Sequence, residues 1–485
     1  MIKSEQLFYL IKSLNKAEKR YFKLFATNSN ENNNYLLLFD AIDKQDIYDE
    51  NAIKDKFQNK TFINQLHVTK NYLNQLILKS LRNFHSSISK DAEIKDLLRD
   101  IEILLKKELF QQCTQVIDKA LKLATLYEKW PDVLNLLDIK RRLLLNTKGS
   151  SQATNDLKEI NDQELKALLK IEHISMYWDV SANIFSNLPD ISRLLQSPYI
   201  KDESKADSLQ AKTLYHYIWQ TLSVVQGNLK QAREKLEKII QIWEGQTNQI
   251  YEHPASYLTL LNNLVGLCIS NKDYKYAEEL IVKIRKMPDR YGLKSNNTIA
   301  VKAMLHSYNV ELEMCRDTNQ IKRGLKVSKD VQKYLEDSSL TVPKSYHILL
   351  LYQTAYLYYL NDEFDKALPF LNEIFSLKAN EIRQDIQAYA HLLFLIIHFE
   401  LGNITLLRYA VESCRRFLKK KRELHNFEKT LLSCFSRLST ISASEYEYQF
   451  IILKETLFEG MSEKEKLNVL DYLNFETWIK KNLKK

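Results

Sequence analysis

Glycine and proline are nearly missing from this chain of 485 residues: there are 8 and 7 of them, together about 3%, where a globular chain averages about 12%. Sheets depend on tight turns and tight turns depend on these residues, so the scarcity excludes a β-rich fold. It also excludes a Gly-rich phosphate loop. No G-x-x-x-x-G-K-[ST], G-x-G-x-x-G, G-x-S-x-G or H-E-x-x-H occurs, so nothing in the sequence points to an enzyme, a catalytic residue or a cofactor.

Long apolar runs are missing too. The longest, "HLLFLIIHFEL" at 391–401, is half a membrane span, and the opening "MIKSEQLFYLIKSLNK" holds only five apolar residues between lysines, too short for a signal sequence. The five cysteines are an odd number with no C-x-x-C pair, which suits a reducing cytosol. The expectation is a cytoplasmic protein with no membrane partner. The net charge of +9, from 70 basic against 61 acidic residues, is mild for the length and does not demand nucleic acid.

What the chain has is helical periodicity. Leucine, isoleucine, tyrosine and phenylalanine recur at spacings of three and four, no segment alternates apolar with polar, and the chain is therefore all-α. With 45% hydrophobic residues it can bury two or three domains or one elongated array.

The stretch "AYLYYLNDEFDKALPFL", 355–371, reads as a helical hairpin. Ala355 is small where a second helix approaches, Tyr358 and Phe364 fill the wedge beside the turn, and Ala367, Leu371 and Ile374 continue the inner side of the second helix. The same offsets recur around Ala277 with Tyr274, Cys268, Val265, Ile281 and Ile284. They recur around Ala232 with Leu229, Leu236 and Ile239, around Leu407 with Ile404, Val411 and Cys414, and more weakly around Gly324. A further copy lies upstream at Cys113, and between 113 and 232 the register is lost, although 132–147, 153–172 and 173–188 still read as helices. Reference positions 232, 277, 324, 367 and 407 are separated by 45, 47, 43 and 40 residues, a repeat period.

On these residues the chain resembles the tetratricopeptide repeat family, with units longer than the family's period of about 34 and without its closing proline. The resemblance implies a right-handed α-solenoid of stacked hairpins: an N-terminal helical domain or cap at 1–88, the repeats at 89–440, and capping helices with a basic tail at 441–485. It also implies a protein-interaction scaffold or adaptor whose first helices line a concave surface for a peptide or partner protein. Carried over by offset, that surface comprises Tyr217, Asn262, His306, Asn309, Glu313, Arg316, Tyr352, Tyr356, Tyr359 and Tyr389. Aromatics mixed with amides and a charge pair are what grips an extended peptide or a helix. The competing reading is that the tyrosines pack on neighbouring helices.

Residues 1–88 are of a different kind. Asn15 caps a helix whose apolar face carries Tyr21 and Phe25 and whose other face carries Lys16, Lys19, Arg20 and Lys23. Helices near 34–43, 50–57 and 62–85 follow, and the last two form an imperfect helix-turn-helix with Asn64, His67, Lys70 and Asn71 projecting. The alternative function is therefore a DNA-binding regulator with a repeat sensor, though acidic Asp46, Asp49, Glu50 and Asp55 precede the second helix and disfavour nucleic acid.

"RRFLKKKR" at 415–422 sets Arg415, Lys419 and Arg422 on one helix face, a solvated face or a dock for an acidic partner. His391 and His398 are seven apart, where helical chelators sit three or four apart, so they read as helix-interface residues, and no metal site is expected.

Overall fold

The computed structural model describes residues 4–28, 34–85, 89–148, 153–186, 195–295, 297–337, 340–377, 382–421 and 423–484. Among them are 25 α-helices and no strand. The chain divides into two compact units, Met1–Lys212 and Thr213–Lys485.

The first unit contains two hydrophobic cores. One, built on Leu7, Ile11, Phe22, Leu38, Phe39, Leu73 and Ile77, joins helices Ser4–Ser13, Lys16–Asn28, Asn34–Asp43, Glu50–Lys56 and Leu66–Phe84. Asn15 does cap: its Oδ1 accepts from the Glu18 amide at 3.0 Å, while Glu18 Oε2 accepts from the Asn15 amide at 2.8 Å, a reciprocal box. The basic face is partly neutralised, Lys19 by Asp43 at 2.6 Å and Lys23 by Asp40 at 2.7 Å.

The other core links Lys90–Lys106, Phe110–Leu126, Trp130–Lys148 and Thr154–Ser186, each packed on the next, through Ile94, Ile101, Cys113, Ile117, Leu136 and Leu137. The two helices expected at 153–172 and 173–188 are one helix of 33 residues, because no breaker interrupts 154–186. The "NLPD" break at 187–190 lies outside the described residues.

In the second unit consecutive helices pair as Pro254–Ser270 with Tyr274–Arg290, Thr298–Asp317 with Ile321–Glu336, Lys344–Leu360 with Phe364–Ser376, and Gln384–Glu400 with Ile404–Lys421. The first helices of successive pairs also pack on one another. These four hairpins, and the turn between Leu209–Val225 and Leu229–Glu244 that precedes them, each pass through one left-handed residue: Gly227 (φ 74°), Lys272 (57°), Asn319 (56°), Asp362 (57°) and Gly402 (70°). Every one lies five residues before a reference position of the sequence repeat.

The residue after it donates its amide back across the turn to close the preceding helix, as in Asp273 to Cys268 O at 2.9 Å, Gln320 to Cys315 O at 2.7 Å and Glu363 to Tyr358 O at 3.0 Å. A chain poor in glycine thus makes three of these five turns with residues that find the left-handed region costly. The same turn recurs in the first unit at Glu108, five before Cys113, and at Glu128, five before Val133.

The reference positions are packing points. Ala232, Ala277, Ala367 and Leu407 are fully buried. At Gly324 a Cβ would meet Leu357 Cδ1 at 2.9 Å, so this slot holds glycine because the neighbouring first helix occupies the space.

Candidate functional site

Lys344–Leu360 is apolar on all sides and correspondingly buried on all sides from Ile348 to Leu357. Its tyrosine stripe is covered by a segment nearly 120 residues later in the sequence. Tyr352 Oη donates to the Tyr472 carbonyl at 2.8 Å, and the Asn474 amide donates to Tyr356 Oη at 2.9 Å. Between them Leu473 is buried, and Phe475, Trp478 and Ile479 sink into the core that the tyrosines share.

Tyr352 and Tyr356 are 1% and 3% exposed, so the expected open stripe is corrected: these two are packed on the chain's own C-terminal helices Glu463–Tyr472 and Phe475–Asn482. Burial raises both phenols above their ordinary range, Tyr352 well above it. Tyr359 is half-buried, 5.9 Å from the Tyr356 ring. Tyr389 stacks flat on Tyr472 at 4.5 Å and borders a cavity of about 580 Å³ that Asp385, Phe417, His425, Met461 and Asn468 also line.

The remaining carried-over residues are not covered in this way. Tyr217 is 41% exposed. Asn262, His306, Asn309, Glu313 and Arg316 are half-buried on two first helices that pack side by side. The structure joins several of them through a residue that the offsets missed: Gln353 Nε2 donates to Asn309 Oδ1 at 3.5 Å, and Arg316 Nη1 donates to Gln353 Oε1 at 3.5 Å. Arg316 also lies 5.6 Å from the Tyr356 ring and donates through Nε to Asp317 at 3.2 Å.

Burial, with Asp317 and Asp471 nearby, raises the Glu313 carboxyl, and Arg316 only partly offsets this. Asp471, from the C-terminal segment, is raised by the same causes. His306 is pushed down to about 4 by burial, so its ring is neutral at pH 7. Asn262 Oδ1 and His306 Nε2 are buried atoms with no hydrogen-bond partner among the described residues.

Asp317, Gln353, Asp471 and Asn474 could not be found from repeat offsets, since the last two belong to no repeat. The only sequence signal for Asp471 and Asn474 was the aromatic cluster in "DYLNFETW", within the segment expected to form capping helices.

The basic patch is loosely assembled. Arg415 is half-buried with Nη2 3.5 Å from Ser436 Oγ, Lys419 is exposed, and Arg422 lies outside the described residues. His391 stacks on Phe375 at 4.2 Å and is pushed down to about 4 by burial, while His398 Nδ1 meets Asn403 Nδ2 at 3.2 Å. Both are helix-interface residues, and no group of metal-ligating side chains occurs among the described residues. All five cysteines are buried free thiols, with Cys414 and Cys434 pushed up to about 12 by burial.

The helix-turn-helix reading loses its central cation. Lys70 is 7% exposed, ion-paired to Glu50 and 5.3 Å from the Tyr48 ring, so it does not project. Asn64 lies in a 3₁₀ turn, Thr61–Gln65, before the helix begins. No helix among the described residues is long and apolar enough to cross a membrane. Compared with known proteins, the chain matches no family model and no curated sequence.

Proposed function

We propose that this chain is a tetratricopeptide-like right-handed α-solenoid that works as a cytoplasmic protein-interaction scaffold, holding a peptide or partner protein on the concave face of its first helices. One observation carries the reading: that face already grips polypeptide main chain, with the hydroxyls of Tyr352 and Tyr356 bonded to the carbonyl of Tyr472 and the amide of Asn474. Side-chain groups that hold main chain while pockets take the flanking aromatics are how receptors bind extended peptides. The part of the face that the C-terminal segment leaves uncovered, through Tyr217, Asn262, His306 and Asn309, is where a partner binds.

The test is affinity capture from the native lysate with the full chain and with a Tyr217→Glu, Asn309→Arg variant. A partner held by the native chain and lost by the variant at unchanged melting temperature supports the scaffold. Equal capture by both removes the face from the function.

A further inference from the structure

Thr154–Ser186, the helix of 33 residues in the first unit, turns Ile160 and Ala167 into the core. Its opposite side is apolar as well. Leu165, Leu168, Leu169 and Met176 are spaced so as to share one face, and they are 57%, 51%, 50% and 40% exposed. No other helix among the described residues exposes four large apolar side chains on one face. Apolar residues scattered singly over a surface are ordinary, whereas a row of them marks a place that another molecule covers.

The charges along the row show what that molecule is. Several charged groups of this helix are already engaged: Glu164 with Arg141, Lys170 with Asp207 at 3.0 Å, and Asp156 with Lys148 at 2.9 Å. Lys158, Lys166 and Glu172 are exposed and enter no ion pair among the described residues. Asp179, also exposed, accepts from Asn183 on its own helix at 3.2 Å.

The row is thus basic in its N-terminal half, at Lys158 and Lys166, and acidic in its C-terminal half, at Glu172 and Asp179. Asp162 is the exception, one turn from each lysine, and leaves the first half net positive. Such a face is complementary to itself turned end for end. Two copies laid parallel would set lysine on lysine and carboxylate on carboxylate, which repel, but two laid antiparallel set each half against its opposite, the isologous contact of a two-fold dimer.

We infer that a second copy of this chain docks on this face, with the two Thr154–Ser186 helices antiparallel about a two-fold axis between Leu168 and Leu169. Lys158 lies ten residues before Leu168 and Asp179 ten after Leu169, so each Lys158 meets Asp179 of the second copy. Glu172 comes to the level of Lys166 of the second copy. The leucines and Met176 of both copies fill the seam between these pairs, which runs about 32 Å from Lys158 to Asp179 at 1.5 Å per residue. The inference is independent of the scaffold reading, which concerns the second unit.

The test is sedimentation equilibrium of the full chain at concentrations around the micromolar range, where contacts of modest area dissociate. The native chain should reach twice its monomer mass. Leu168→Ser with Leu169→Ser should stay monomeric at every concentration and keep the melting temperature that the native chain shows when dilute, since both side chains face solvent in the single chain. Lys158→Asp should weaken the dimer about tenfold or more. Lys158→Asp combined with Asp179→Lys should restore it, a rescue that requires the antiparallel register.

A native chain that stays monomeric throughout would overturn the inference and leave the face to a partner of another kind. A dimer that survives the paired leucine substitutions would overturn it by placing the contact elsewhere. Failure of the double exchange to recover what the single one loses would overturn the antiparallel arrangement.

Discussion

The first helices Thr298–Asp317 and Lys344–Leu360 present equivalent offsets of the same repeat and meet opposite fates. Tyr352 and Tyr356 are sealed under Leu473, Phe475 and Trp478, whereas His306, Asn309 and Glu313 stay half-buried with polar atoms unsatisfied or weakly bonded. An offset states which way a side chain leaves its helix. It does not state what arrives on that side, and in this protein the arrival is a segment outside the repeats.

The contrast can be broken most sharply at its sealed end. Tyr356→Ala should destabilise the chain by about 3–5 kcal/mol, as truncation of a large buried aromatic does, while Asn262→Ala, which removes a buried oxygen without a partner, should leave stability unchanged or raise it by up to about 1–3 kcal/mol. Denaturant titration of both measures this, and equal effects would erase the distinction between sealed and open ends.

Next in size is the helix contact beneath both ends. Ala277→Leu and Ala367→Leu should each cost about 1–3 kcal/mol by overpacking a fully buried point of closest approach. Thermal melts of the two variants provide the check, and an unchanged midpoint would show that these positions do not set the spacing.

The histidines sharpen the comparison through pH. His391, stacked between Phe375 and Phe417, has its folded pKa lowered to about 4 from an ordinary 6.5. A base with a lowered folded pKa contributes stability that is present above the ordinary value and is lost as pH falls toward the folded one, because the unfolded chain takes the proton first. His391→Phe should therefore flatten the stability loss between pH 6.5 and about 4, by about 2 kcal/mol at pH 5. Glu313 has the opposite sign. Its raised folded pKa means that stability is lost as pH rises from its ordinary value through the folded one, so Glu313→Gln should be more stable than the native chain at pH 7 and not at pH 4. Unfolding curves across this range distinguish the two.

The smallest expected effect is at the turns. Lys272→Gly should stabilise by about 0.5–1 kcal/mol, since glycine relieves the left-handed strain at φ 57° and gives part of this back in unfolded-state entropy. Calorimetry that finds a loss instead would mean that Lys272 makes a stabilising contact worth more than the strain.

Much of the fold was legible because it is local. Asn15 as a cap, the helix at 34–43, the helix expected at 62–85 and found at 66–84 after a 3₁₀ turn, and the burial of Ala232, Ala277 and Ala367 all follow from spacing within a few turns of helix. The turn at Glu128 escaped notice because the β-branched Val133 stands where the other units carry alanine, glycine, cysteine or leucine, although the backbone there is the same. The candidate face was legible only as a list: its members lie on the expected helices, but the link through Gln353 and the approach of Asp471 depend on residues that no offset names.

By itself, the sequence determined that the chain is helical, since scarce glycine and proline and spacings of three and four leave no other regular structure. It also determined where the hairpins turn, since a small or apolar residue recurs at each closest approach. Only the tertiary structure decided which part of the first-helix face is sealed, because that depends on Leu473, Phe475 and Trp478 finding apolar surface more than 110 residues away. Burial of those side chains outweighs leaving the tyrosines open to solvent, and nothing local to Tyr352 or Tyr356 records it.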